Sequence, residues 1–294
     1  MSYARVGVVT GANKGIGYAI VRQLALQYPN SKLNNGPLLI YLAARDPSRG
    51  ETAVSTLTTQ DVPLQQANAL RSLGGLTDIK FHQLDISQPP SIQSFAELLR
   101  AEHPDGIDFV INNAGMAMDG FDLNVVKTTL GCNYHGTLAA TRAFLPLLKA
   151  EGGRIVNVAS MSGYLNKYSA AIRDRFLNAK SVDNITKLMD EFTSAVERGR
   201  EKEEGWPSAA YATSKAGEIG MTLQIAAEVK WEGKNGVLVN ACCPGWVVTD
   251  MTKGMGHKTP DQGAQTPVML AIGDIGEKSG GFWQNEKEIS WTGH

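Results

Sequence analysis

The sequence predicts a doubly wound α/β fold: a mostly parallel sheet with helices on both faces. Three observations carry this prediction. Short apolar runs alternate with stretches of helical periodicity along most of the chain. Several of those runs are apolar on both faces, as strands buried in a parallel sheet must be. The first run passes through a glycine-rich turn straight into a helical stretch, the start of a strand–helix–strand unit.

The elements follow in order. Residues 6–10 (VGVVT) read as the first strand. With residues 1–10 already a buried strand, no leader peptide is expected. Residues 16–28 read as a helix, 38–43 as a strand, 79–84 as a strand and 89–103 as a helix. In that helix Ile92, Phe95, Ala96, Leu98 and Leu99 share one face at three- to four-residue spacing. Residues 107–112 and 154–159 are strands on either side of a long helical stretch, 123–149. A helix over 209–230 and a strand over 237–242 complete the pattern. Two segments break the rhythm. Residues 51–77 exceed what a simple crossover needs, and 164–207 form a charged insertion ending in EKEEGWP. Inside the insertion Ile185, Leu188, Met189, Phe192 and Val196 form a helical stripe. No linker or repeat divides the 294 residues, so one domain is expected.

Composition narrows the partners. Net charge is −1 with no long basic run, which speaks against nucleic acid or an anionic membrane. No apolar run is long enough to span a bilayer. Three cysteines, with Cys242 and Cys243 adjacent, form no disulfide framework, so a cytoplasmic globular protein is expected.

The turn after the first strand reads GANKGIG, with Gly11, Asn13, Lys14, Gly15, Ile16 and Gly17. Glycines suit a sharp bend that must approach a ligand without a Cβ in the way. The following helix aims free N–H groups and its positive end at a pyrophosphate, so a dinucleotide site of Rossmann type is expected. The second strand ends LAARD. Where an acid would hold a ribose 2′-hydroxyl there is Ala44, followed by Arg45. Arg45 and Lys14 suit a 2′-phosphate, pointing to NADPH, whereas a one-residue shift of register would make Asp46 the ribose partner.

Tyr211 and Lys215 lie four apart at the start of a helix and so share a face. An ammonium beside a phenol favours the phenolate and lowers the tyrosine pKa from near 10. Asn112, Asn113, Ala114 and Gly115 follow the fourth strand and Ser160 the fifth. Groups at the carboxyl ends of parallel strands converge on one rim, together with the glycine turn.

TGANKGIG, NNAG, the strand-end Ser160 and YATSK, in this order, resemble the short-chain dehydrogenase/reductase family over nearly the whole chain. The resemblance implies roles. Tyr211 is the proton donor; Lys215 tunes it and holds the nicotinamide ribose; Ser160 hydrogen-bonds the substrate oxygen, with Ser162 a near alternative. Asn133, in GCNYHGT, matches the asparagine that supports a water linked to the lysine. Asp85 and Ile86 match the adenine contact. Asn113, Ala114 and Gly115 line the ribose, and Pro244, Gly245, Val247 and Thr249 meet the nicotinamide end. The Ser160–Tyr211 gap is longer than is usual in the family. That gap, with EGWPSAAY, NACCPGWVVTDM, AARD, FHQLDI and DQGAQTPV, looks like the monomeric carbonyl reductase subgroup. In that subgroup an insertion helix covers a face that otherwise forms a dimer interface, so a monomer is implied, with Arg49 a second candidate for the 2′-phosphate.

The expected activity is therefore reduction of a small-molecule ketone or aldehyde by NADPH. Kept beside it are an enone C=C reductase, a specialised terpenoid or steroid ketone dehydrogenase, and a non-catalytic NADP-binding regulator. Met161, Trp246 and Met251 adjoin the motifs and are candidates for an apolar pocket wall. Cys243 reads equally as a pocket-edge thiol or a buried inert one. His257 and His294 stand alone, and no metal site is expected. Ser160 and His135 lack the G-x-S-x-G elbow of a hydrolase.

Overall fold

The computed structural model describes residues 3–233 and 236–293; Met1, Ser2 and His294 lie outside them. One eight-stranded sheet organises the chain in the order β3-β2-β1-β4-β5-β6-β7-β8. Strand β1 (Arg5–Thr10) leads into helix α1 (Gly15–Gln27). Then come β2 (Leu38–Ala44), α2 (Pro47–Thr59), α3 (Val62–Gln66), β3 (Thr77–Gln83), α4 (Pro89–Glu102) and β4 (Phe109–Asn112). Helices α5 (Leu123–Leu130) and α6 (Thr137–Phe144) precede β5 (Arg154–Val158). The insertion supplies α7 (Ala170–Leu177) and α8 (Val182–Glu197) before α9 (Ala210–Trp231), β6 (Leu238–Cys243) and α10 (Pro260–Ile272). The short strands β7 (Phe282–Gln284) and β8 (Lys287–Glu288) close the edge; β8 runs antiparallel to β7 and every other pair is parallel.

The strand assignments from sequence differ from these by two residues or fewer at each end. The expected helix over 123–149 is a chain of turns with a change of pitch. Between α5 and α6, residues Gly131–Gly136 form a π-helical turn, a widening that often marks functional sites. The extra residues 51–77 hold most of α2, all of α3 and a 3₁₀ turn at Arg71–Leu73.

Strands β2, β4, β5 and β6 are buried at every position, which explains their unbroken apolar runs. One core layer lies on each sheet face. Val9, Ile20, Leu24, Ile40 and Ile111 pack on one side, and Tyr41, Phe95, Val110, Phe144 and Ile219 on the other. The insertion joins the second layer: Ile185, Leu188, Met189 and Phe192 are fully buried. Two glycines let α8 approach α9 closely. A Cβ on Gly217 would sit 2.5 Å from Met189 Sδ, and one on Gly220 would sit 2.8 Å from Ile185 Cδ1. Val196, the last residue of the stripe, is only partly buried.

Candidate active site

The chain reverses its winding direction between β1 and β4, and a crevice opens there at the carboxyl ends of the strands. The glycine turn and the NNAG loop meet in this crevice. Asn113 Nδ2 donates to the carbonyl oxygens of Thr10 (3.0 Å) and Gly11 (3.1 Å). The N–H groups of Asn113 and Ala114 donate to Thr10 Oγ1 at 3.1 and 3.0 Å. Asn113, expected with Ala114 and Gly115 to line a ribose, thus uses its side-chain amide to join two loops. Ala114 beside it is half-buried and Gly115 is exposed. Gly11 and Gly15 have φ of +63° and +58°, which favours glycine at both. A Cβ on Gly11 would meet the Ala114 backbone at 2.7 Å, and one on Gly17 would meet Asn113 Nδ2 at 2.5 Å.

Helix α1 starts after Lys14 with no side chain capping its first turn, so its free N–H groups remain available to an anion. A Cβ on Gly15 would find only the Thr249 side chain, at 3.6 Å. Lys14 Nζ reaches across to Asp250 at 2.6 Å, an exposed pair at the rim. At the end of β2, Ala44 is the last paired residue and Arg45 and Arg49 are exposed. Asp46 caps α2, accepting the Arg49 N–H at 3.0 Å, with Arg49 Nε 3.7 Å from its carboxylate. The capping bond assigns Asp46 a structural task and leaves the strand end cationic. Asp85 Oδ1 accepts from the Ser87 N–H and hydroxyl at 2.9 and 2.7 Å, and Ile86 is buried beside it. An uncapped helix start, a glycine bend and a cationic strand end fit a dinucleotide with a 2′-phosphate.

Tyr211 stands at the start of α9, with Lys215 one turn on. Lys215 Nζ lies 5.8 Å from the centre of the Tyr211 ring. The ammonium donates to the Val158 carbonyl at 2.9 Å, so the end of β5 positions it. Ser160 caps the 3₁₀ turn that follows, accepting the Ser162 N–H at 3.1 Å, and its hydroxyl is near enough to favour ionisation of the Tyr211 phenol. Ser160 is thus the serine of this turn that acts on the tyrosine. The expected lowering of the tyrosine pKa needs correction. Burial is the largest influence and pushes the phenol up; Lys215 and Ser160 pull it down, Glu218 and Cys243 push it up, and the net direction is upward. The phenol is therefore held protonated at neutral pH.

Asn133 sits in the π turn, fully buried. Its Oδ1 accepts the Met116 N–H at 2.8 Å, and its Nδ2 donates to the Met116 carbonyl (2.8 Å) and to Ser214 Oγ (3.0 Å). The side chain thus ties the loop after β4 to the Tyr211 helix. A Cβ on Gly115 would lie 3.3 Å from Asn133 Oδ1 and 3.6 Å from Lys215 Nζ, so glycine keeps that floor low.

Beyond β6, Pro244 and Gly245 (φ +90°) turn the chain over the crevice. Val247 is buried against Gly263 of α10, so its side chain serves packing rather than the crevice. Trp246 and Met251 are half-exposed, with Trp246 edge-on to His257 at 4.7 Å, and Met161 is partly buried beside Ser160. Cys243 is buried, its sulfur accepts the Gly245 N–H at 3.3 Å, and burial pushes its thiol up. Among the described residues no cluster of His, Cys, Asp and Glu suits a metal. A cavity of about 490 Å³ lined by Tyr3, Lys80, Glu102 and His103 lies at the amino-terminal end of the strands, away from the crevice, and holds none of the motif residues.

Residues 41–172 and 197–260 match the short chain dehydrogenase family, with the break falling on the insertion. The chain belongs to that family. Among curated relatives it is 35% identical to mouse "Carbonyl reductase [NADPH] 1" over 99% of this chain and 100% of the relative. It is 37% identical to rat "Carbonyl reductase [NADPH] 3" over 92% of each. Among solved structures, salutaridine reductase from Papaver somniferum superposes with a TM-score of 0.79 at 25% identity, over 95% of this chain and 99% of that one. Menthone neomenthol reductase from Mentha piperita shares the fold with a TM-score of 0.75 at 24% identity, over 96% and 98%.

Sequence reasoning missed Thr10, whose hydroxyl joins the glycine turn to the NNAG loop, and Glu218, whose carboxylate lies 2.6 Å from Lys215 Nζ. Only one signal marked Glu218: an acid in the middle of the apolar helix stretch KAGEIGM.

Proposed function

We propose that this chain is an NADPH-dependent carbonyl reductase that converts a ketone or aldehyde to an alcohol. The observation that carries the proposal is the convergence of Ser160, Tyr211 and Lys215 beside a glycine turn, with a cationic strand end at the far side of the crevice. The near-full-length similarity to carbonyl reductases [NADPH] supports it.

NADPH, when bound, supplies the hydride; the chain supplies position and a proton. The α1 N-terminus and glycines 11, 15 and 17 hold the pyrophosphate, and Arg45, Arg49 and Lys14 hold the 2′-phosphate. Ala114 and Gly115 border the ribose, Asp85 and Ile86 the adenine, and Pro244, Gly245 and Thr249 the nicotinamide end. Ser160 orients the carbonyl oxygen and Tyr211 gives it a proton, acting as general acid. Lys215 holds the ribose and stabilises the phenolate left behind. Trp246, Met251 and Met161 form the apolar wall that meets the rest of the substrate. We read the chain as one domain and a monomer, because α8 buries its stripe on α9, and as cytoplasmic, because its three cysteines are free. No helix among the described residues is long and apolar enough to cross a membrane.

The test is a panel of ketones, aldehydes, diketones and enones with NADPH, followed by chiral product analysis. Alcohol products support the reading. Saturated ketones formed from enones alone, or cofactor binding with no turnover on any class, overturn it.

A further inference from the structure

Glu218 is buried with Lys215 inside the sheet–helix interface, at 0% and 4% exposure. Its Oε2 lies 2.6 Å from Lys215 Nζ, three residues back on the same helix. Its Oε1 is equally buried and has no hydrogen-bond partner among the described residues. Burying a carboxylate is costly unless it is well paired, and an apolar residue would fill this helix face at less cost. The half-satisfied carboxylate thus points to a task beyond packing.

The geometry defines that task. An ammonium has three donors. Glu218 takes one and the Val158 carbonyl another, so the direction of the third is fixed by the first two. The pair also alters the field at Tyr211. Lys215 pulls the phenol towards ionisation, and Glu218 opposes it. The titratable groups around this cluster are Lys215, Tyr211, Cys132, Cys242 and Cys243, and the cysteine thiols are held neutral by burial. Glu218 is therefore the nearby acid able to offset the lysine charge. Burial raises the Glu218 carboxyl, while the Lys215 ammonium 2.6 Å away pulls it towards ionisation.

We propose that Glu218 is a positioning residue of the reductase site: it fixes the Lys215 ammonium and offsets its charge, keeping Tyr211 in the protonated form that reduction consumes. The proposal rests on the carbonyl reductase reading above. It adds that this site is biased towards giving a proton rather than taking one.

The test titrates tyrosinate absorbance in the cofactor-free protein, taking each background minus its Tyr211→Phe counterpart to isolate this phenol. Glu218→Gln keeps the shape and removes the charge. It is expected to move the Tyr211 titration to lower pH by about one unit, a roughly tenfold change in phenolate fraction. Glu218→Asp keeps the charge and is expected to stay near wild type. In turnover, Glu218→Gln shifts the alkaline limb of reduction to lower pH. Unchanged titrations in Glu218→Gln, or equal shifts in Gln and Asp variants, overturn the proposal. If Glu218→Gln does not fold, Glu218→Met, which fills the space without a charge, decides: its Tyr211 titration must also move to lower pH, and no movement overturns the proposal. A shifted titration in a protein without reductase activity would refute the function while leaving the coupling intact, so the two failures are distinguishable.

Discussion

Removing Arg45 and Arg49 tests the assignment of the 2′-phosphate site. Arg45 stands exposed where β2 ends, and Arg49 lies in the first turn of α2, its guanidinium 3.7 Å from the Asp46 carboxylate. Neither is packed into the core, so replacing both by alanine leaves the fold intact. Each guanidinium would contribute a hydrogen bond to a charged group, worth about 1.5–3 kcal/mol. Solvent exposure places each near the lower figure, and about 1.4 kcal/mol is tenfold. Arg45→Ala is thus expected to raise the KM for NADPH about tenfold, and the double variant about a hundredfold if the two act independently. The KM for NADH should not move, because NADH carries no 2′-phosphate. Initial rates with both cofactors give the ratio directly. Equal weakening of both cofactors, or an unchanged NADPH value, would refute the assignment and return Asp46 to the ribose.

Other expectations follow from the same geometry. Because burial holds the Tyr211 phenol above its ordinary value, it is protonated throughout the neutral range. Its proton-donating form is lost only as pH rises, so kcat/KM for reduction should stay level near neutrality and fall on the alkaline side; a fall on the acid side instead would contradict this. Ser160→Ala should lower kcat by about 10²–10³-fold, the scale for losing one donor to a reacting oxygen, while Ser162→Ala stays near wild type. Phe192 is fully buried on α8, 5.5 Å from the Trp206 ring. Phe192→Ala should destabilise the protein by about 3–5 kcal/mol in a denaturant melt, and a loss below 1 kcal/mol would mean the insertion is loosely attached.

The central strands were legible because β2, β4, β5 and β6 are buried on both faces and leave uninterrupted apolar runs. The edge was not. Strands β7 and β8 have three and two residues, too few to show any period. Helix α10 escaped because Pro267 lies inside it, and proline ordinarily argues against a helix interior. The π turn was invisible because one extra residue per turn does not change which residues are apolar. In the site, residue types singled out Ser160, Tyr211 and Lys215, but not the balance of forces on them. Burial sets the direction of the Tyr211 shift, and burial is a property of the whole packed sheet. Asn113 and Val247 show the same limit: each lies at the crevice, yet one amide ties two loops and the other side chain packs on α10.

The most direct measurement of the central claim is the single-turnover rate of Tyr211→Phe with a ketone substrate, together with its affinity for NADPH. The variant should bind NADPH as the wild type does and reduce the ketone at least ~10²-fold more slowly, the scale for losing a general acid. A variant that binds the cofactor and turns over at the wild-type rate would show that the proton comes from elsewhere.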